Sequence, residues 1–252
     1  MQIFEKMGFS WNRAAVPAGR GTSVERAAFR YKQSIAEFVY DAGALEGNPF
    51  TYPEVQTLLE GITVGGRKLA DQQQIHNLGE AANKLFKLVH DGEFRVEKPV
   101  SDELHRLVAK GEALDPGHFR GEGDPLNLTV WPGGYLGREE RHWPLPMKEG
   151  APDLNRVYVE GIEALDSEVS NALERGMAYF LFGALQQFYF DGNKRTSRFM
   201  MNGILMSHGV DAISIPAARL QDFNEKMVRF CTGKDATEMM RFLIECQPKS
   251  AP

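Results

Sequence analysis

Residues 187–198 read Gln-Phe-Tyr-Phe-Asp-Gly-Asn-Lys-Arg-Thr-Ser-Arg, with a strongly apolar segment on either side. Upstream, Val169, Leu173, Met177, Phe180, Ala184 and Phe188 recur at helical spacing, and Tyr179, Leu181 and Phe182 widen that stripe. A helix apolar nearly all round is a buried helix. Downstream, Phe199, Met200, Met201, Ile204, Leu205 and Met206 predict a second one. Between them, Asp191-Gly192-Asn193 is a turn sequence, because Gly and Asn tolerate positive φ. A tight loop therefore joins two central helices.

The residues after the turn are unusual for a purely structural helix start. Lys194, Arg195 and Arg198 fall in its first turns, where the macrodipole is positive and cations are disfavoured. An anion held by the free backbone N–H groups would reverse that penalty. Arg195 and Arg198 are three apart and share a face, so both can reach one polyphosphate. The alternative is a helix end whose arginines pair with surface carboxylates, a common and weak arrangement. The Gly-Asn turn and the apolar flanks favour the phosphate site.

These residues resemble the Fic/Doc (Fido) family, whose motif reads His-Pro-Phe-x-(Asp/Glu)-Gly-Asn-(Gly/Lys)-Arg-x-x-Arg. The portion Asp191 to Arg198 matches without a gap. The resemblance implies that Asp191 holds Mg²⁺ and that the loop at Gly192, Asn193 and Lys194 cradles the phosphates of ATP. It gives the distal phosphates to Arg195 and Arg198. It also implies a reaction: transfer of AMP, or another phosphorylated group, onto a hydroxyl of a target protein. The front of the motif departs from the family, with Gln187, Phe188 and Tyr189 in place of His, Pro and Phe. The family His takes the proton of the attacking hydroxyl, a role worth on the order of 10²–10⁴ in rate. A carboxamide at Gln187 hydrogen-bonds but accepts no proton near neutral pH. Nucleotide binding is therefore expected, and AMP transfer is expected to be impaired. Two rivals stand beside this reading. Lys194 occupies a position that is Gly in most adenylylating members and Lys in Doc-type members, which transfer phosphate. A non-catalytic nucleotide sensor or peptide-binding module is the other.

Elsewhere, Ser23 or Thr22 caps a helix whose apolar face runs to about Tyr40, and Gly43 to Pro49 ends it. Glu46-Gly47 resembles the (Ser/Thr)-x-x-x-Glu-(Gly/Asn) segment of many Fic proteins, with Ala42 at the hydroxyl position. The resemblance makes Glu46 the obstructing partner of Arg198, set against the γ-phosphate. Thr51-x-x-Glu54 is a capping box. Ile62, Thr63 and Val64, then Gly65-Gly66 and Arg67, read as a short β-hairpin. In the family such a flap docks an extended segment of the target protein by strand addition. Residues 70–91 form an amphipathic helix, in which His76 and Asn77 read as polar contacts beside the apolar face. Ser101 reads as the cap of the next helix. Asp115 to Arg120 resembles another family segment, in which Arg120 braces the fold. The Gly- and Pro-rich stretch 121–152, with Trp131, Trp143 and the charged run Arg138 to Arg141, reads as a functional rim or a plug of the core edge. Helices over about 153–165, 169–187, 217–230 and 236–246 complete the chain.

The whole is expected to be all-α, a Fic-type helical bundle with one small hairpin. Residues 1–21 read as a tail or strand-like docking segment, 22–246 as the Fic domain with its inhibitory-type helix, and 247–252 as a disordered tail. The 252 residues, 42% of them hydrophobic, suit one such domain with a sizeable core. A net charge of −5 argues against nucleic acid or an anionic membrane surface as partner. The first residues lack a signal-peptide pattern. Cys231 and Cys246 have no CxxC spacing and read as reduced thiols, which points to the cytoplasm.

Overall fold

The structure, a computed structural model, describes residues 2–19, 21–130, 134–135 and 141–248. Its helices are α1 (Gln2–Met7), α2 (Val24–Gln33), α3 (Ile35–Ala44), α4 (Tyr52–Leu59), α5 (Leu69–His90) and α6 (Lys98–Val108). They continue as α7 (Pro152–Glu168), α8 (Ala172–Gln186), α9 (Asn193–Ser207), α10 (Leu220–Gly233) and α11 (Thr237–Glu245). The predominantly helical class expected from the sequence is the one observed.

The pair α8 and α9 forms the centre. From Gly176 to Leu185, and again from Arg195 to Met206, every residue is buried. Small residues let the two backbones approach: a Cβ on Gly183 would lie 2.0 Å from Ser197 Oγ, and one on Gly176 would lie 3.2 Å from Met201 O. Helices α5 and α6 pack on α9, α7 and α11 on α8, and α3 and α4 on α5. The loop between α8 and α9 thus emerges from the most restrained part of the molecule, next to the end of α6.

Several local expectations are met. Ser23 Oγ accepts from Arg26 N at 3.2 Å, and Thr51 and Glu54 form the capping box. The thiols are free, and burial pushes Cys231 up to about 11. Among the described residues no helix is long and apolar enough to cross a membrane.

Others are corrected. The opening segment is no tail: it starts as a helix, Ile3, Met7, Phe9 and Trp11 are buried, and Trp11 Nε1 donates to Glu174 Oε1 at 2.8 Å, while the strand-like docking expected of it is met only at Ser10, in a parallel bridge to Asp235. The helix expected after Ser23 ends at Ala44, within its expected stop, but it is not continuous: it is broken at Ser34 (φ −107°, ψ 11°), a residue type that competes poorly for helix interiors. Ser101 is no cap, because the helix starts at Lys98 with Pro99 in its first turn and buries Ser101.

The hairpin over 62–69 is absent. A turn is present at Gly65-Gly66, but no strands flank it. Arg67 is drawn to α4 instead, its Nε and Nη2 donating to Glu54 Oε1 and Oε2 at 3.0 and 2.6 Å, while Ile62 is left exposed. Two strands with no third are marginal in water, and a bidentate Arg–carboxylate pair outcompetes them. The described residues do contain one small ladder, β1 (Gly134–Tyr135) antiparallel to β2 (Arg141–His142), inside the stretch expected to be irregular. There Trp143 is about half exposed. Trp131, the charges at 138–140 and the tail at 249–252 lie outside the described residues.

Candidate functional site

The loop that follows α8 is fixed through its backbone. Gln187 caps α8 in the left-handed region (φ 48°, ψ 62°), with its N–H donating to Gly183 O at 3.1 Å. Arg120, fully buried, donates from Nε to Gln187 O at 2.6 Å and from its terminal nitrogens to Leu145 O. Its own N–H donates to Phe188 O at 2.8 Å. Arg120 therefore braces the fold, and burial without a carboxylate partner lowers its pKa to about 10. His142 adds Nε2–H to Leu185 O.

The second half is closed by Asn193. Its Nδ2 donates to Tyr189 O at 2.7 Å, and its Oδ1 accepts from Tyr189 N at 2.9 Å. Gly192 takes φ 73°, and a Cβ there would stand 3.2 Å from Ala109 Cβ, so the end of α6 presses on the turn. The Tyr189 ring stacks on His105 at 3.7 Å, and its hydroxyl donates to Asp102 Oδ1 at 2.8 Å beside Ser101. His105 is the residue that sequence reasoning missed. Its Nδ1 accepts from Gly117 N at 2.8 Å, which leaves the proton on Nε2 to be donated to Asp191 O at 2.8 Å. The signal was present in the periodicity, since Ser101, Leu104, His105 and Val108 form the buried face of α6.

Burial holds His105 neutral, with a pKa lowered to about 4. An unfolded His titrates near 6.5, so between those values the unfolded chain binds the extra proton. Stability due to neutral His105 is thus complete above pH ~6.5 and lost as pH falls towards 4. Replacing His105 with Gln should flatten the acid limb of a urea-unfolding stability profile over that window. An unchanged slope would contradict the assignment.

At the start of α9 three cations meet. The first-turn N–H groups of a helix have no intrahelical acceptor, and no side chain caps them here. Arg195, 3% exposed, donates from Nη1 to Glu112 Oε2 at 2.7 Å, with Nη2 3.7 Å from Asp191 Oδ1. Glu46 Oε1 lies 3.6 Å from both Lys194 Nζ and Arg198 Nη2. That is beyond hydrogen-bond range, and Arg198 Nε and Nη2 are buried without a hydrogen-bond partner. Burial pushes the Arg198 pKa down, with Glu46 opposing. A buried cation with unmet donors favours an anionic acceptor.

The structure therefore brings Glu46, Lys194, Arg195 and Arg198 into one cluster, with Asp191 at its edge. It does not bring residues 62–67 into a docking strand. Asp191 is exposed, with Oδ1 accepting from Gly192 N at 2.5 Å. An accessible carboxylate beside a cluster of cations has the chemistry of a Mg²⁺ ligand, since that ion binds through one or two carboxylates plus phosphates. Among the described residues no group of three or more His, Cys, Asp or Glu is arranged to hold an ion.

No family model matches the chain. It is 25% identical over 226 residues to the protein adenylyltransferase Fic of Drosophila grimshawi, covering 87% of this chain and 42% of that protein. The Drosophila melanogaster protein of the same name is 24% identical over 228 residues, with the same coverage. The chain thus spans about two fifths of the length of these curated relatives. Among solved structures it resembles Fic-1 (aa134–508) from C. elegans, with TM-score 0.69 and 17% identity over 90% of this chain and 63% of that one. A Fic domain containing signaling protein from Bacteroides thetaiotaomicron also gives TM-score 0.69 and 17% identity, over 97% of this chain and 91% of that one. At such identities the structures speak for the fold alone, which is that of Fic-domain proteins, and the sequence is similar over most of its length to Fic protein adenylyltransferases.

Proposed function

We propose that the chain binds ATP with Mg²⁺ at the start of α9 and that its transfer of AMP to target hydroxyls is impaired. The observation that carries the reading is Arg198: a buried guanidinium with two unpartnered nitrogens, beside Lys194 and Arg195 at an uncapped helix end. In this reading the α9 N–H groups and Arg195 bind the phosphates, and Arg198 takes the outermost one once Glu46 has moved aside. Asp191 would hold the metal, which supplies charge neutralisation at the phosphates. In AMP transfer, a target hydroxyl oxygen bonds to the α-phosphorus, pyrophosphate leaves, and the hydroxyl proton needs an acceptor. Gln187 cannot serve. Nor can His105, which uses both ring nitrogens on backbone groups. A protein target, docked on the surface around residues 62–67 or the 121–152 rim, completes the reading.

The test is incubation with labelled ATP, using the chain itself and a lysate as acceptors. Labelling at background level is expected. Robust labelling by the natural protein that is lost in Arg195→Ala would overturn the impaired-enzyme reading. A second reading is favoured by Lys194, which shares the Glu46 oxygen with Arg198: transfer of phosphate in the Doc manner. Mass spectrometry of the acceptor distinguishes a phosphate adduct from an AMP adduct.

A further inference from the structure

Glu46 is not the only carboxylate on the motif cations. Glu112 Oε2 lies 2.7 Å from Arg195 Nη1, a shorter and better-directed contact than either of those made by Glu46. Glu112 sits in the turn after α6, where Glu112 N donates to Ala109 O. Helix α5 holds that turn: Asn77, fully buried, donates Nδ2 to Lys110 O at 2.8 Å and accepts from Gln73 Nε2. The three cations are thus balanced by three internal carboxylates, Asp191, Glu46 and Glu112.

The two larger contacts are also wired together. Two residues past Glu46, Asn48 Nδ2 donates to Asp71 O at 3.0 Å and to Gln74 Oε1 at 2.9 Å. Because Asp71 O can only accept, that nitrogen must be the donor, and Gln74 must turn its oxygen towards Asn48. Its NH₂ is then aimed at Glu112 Oε2, 2.9 Å away, the same oxygen that receives Arg195. One amide therefore bridges the segment after α3 to the carboxylate on Arg195.

We infer that Glu112 is a second internal occupant of the phosphate site, and that Gln74 couples its release to that of Glu46. The inference rests on the phosphate-binding reading above and concerns how that site is regulated. A phosphate arriving at Arg198 displaces Glu46, shifts the chain through Asn48 and loosens Gln74. Glu112, having lost the donor that holds it, then yields Arg195. Glu112 is partly exposed, and neither Glu112 nor Gln74 belongs to the motif.

The experiment is calorimetric titration of the full chain with ATP·Mg²⁺, in the natural and the Glu46→Gly backgrounds. Glu112→Gln keeps the side chain's size and removes its charge. It should tighten binding on the order of tenfold. Gln74→Leu removes no charge and touches neither arginine, yet it should also tighten binding, and it should shrink the gain from Glu112→Gln. If Glu46→Gly binds nucleotide while Glu112→Gln changes nothing in either background, the second occupant is overturned and the site reading survives. If Glu112→Gln tightens binding but Gln74→Leu is silent and the gains simply multiply, the coupling is overturned. If no variant binds, Glu46→Gly with Glu112→Gln included, both the inference and the site reading fail.

Discussion

Histidine at position 187, placed in a Glu46→Gly chain, is expected to raise AMP transfer on the order of 10²–10⁴-fold over Glu46→Gly alone. The backbone is prepared for it. Gln187 sits at φ 48°, ψ 62°, a region that His occupies more readily than most non-glycine residues. Its N–H and C=O are tied to Gly183 and Arg120, so the substitution delivers an imidazole to a fixed point rather than remodelling the loop. The magnitudes discriminate between causes. Relief of the Glu46 carboxylate acts on nucleotide affinity, on the order of 10–100-fold, and supplies no proton acceptor. Glu46→Gly alone should therefore leave labelling low, and the double variant should not. Equal labelling by the two would mean that the missing base is not what limits transfer.

How much of this was legible in the sequence follows from the range of each interaction. The pair α8 and α9 could be read because burial on all sides leaves an unbroken apolar pattern, and the caps at Ser23 and Thr51 because they span only three residues. The Gly65-Gly66 turn was legible too. The strands beside it were not, because their formation depends on Arg67, which pairs with Glu54 thirteen residues earlier. The docking of the first residues rests on Trp11 meeting Glu174, a contact that no local pattern announces. At the site, the cations and the turn were visible as a motif, and Glu46 through a family resemblance. His105, Glu112 and Gln74 act across tertiary contacts. Only His105 left a trace, as a polar residue at a core position of α6.

Removing the Glu46 side chain carries the other large effect. Glu46 Oε1 stands against both Lys194 and Arg198, so any phosphate must displace a half-buried carboxylate before it reaches the guanidinium. Truncation to Gly leaves Arg198, 8% exposed, without that counter-charge. A buried cation that loses a counter-charge is costly, and an incoming phosphate then forms charge-assisted hydrogen bonds with Arg198 that Glu46 no longer contests. Position 46 lies in the turn after α3, outside any helix, so Gly there costs little helix stability. Affinity for ATP·Mg²⁺ should rise on the order of 10–100-fold. Calorimetric titration of the natural chain, Glu46→Gly and Glu46→Gly with Arg198→Ala measures this directly. The expected result is weak binding, tight binding and lost binding, in that order. Absence of binding heat in all three, or equal affinity with and without Arg198, would contradict a polyphosphate grip at the tip of α9.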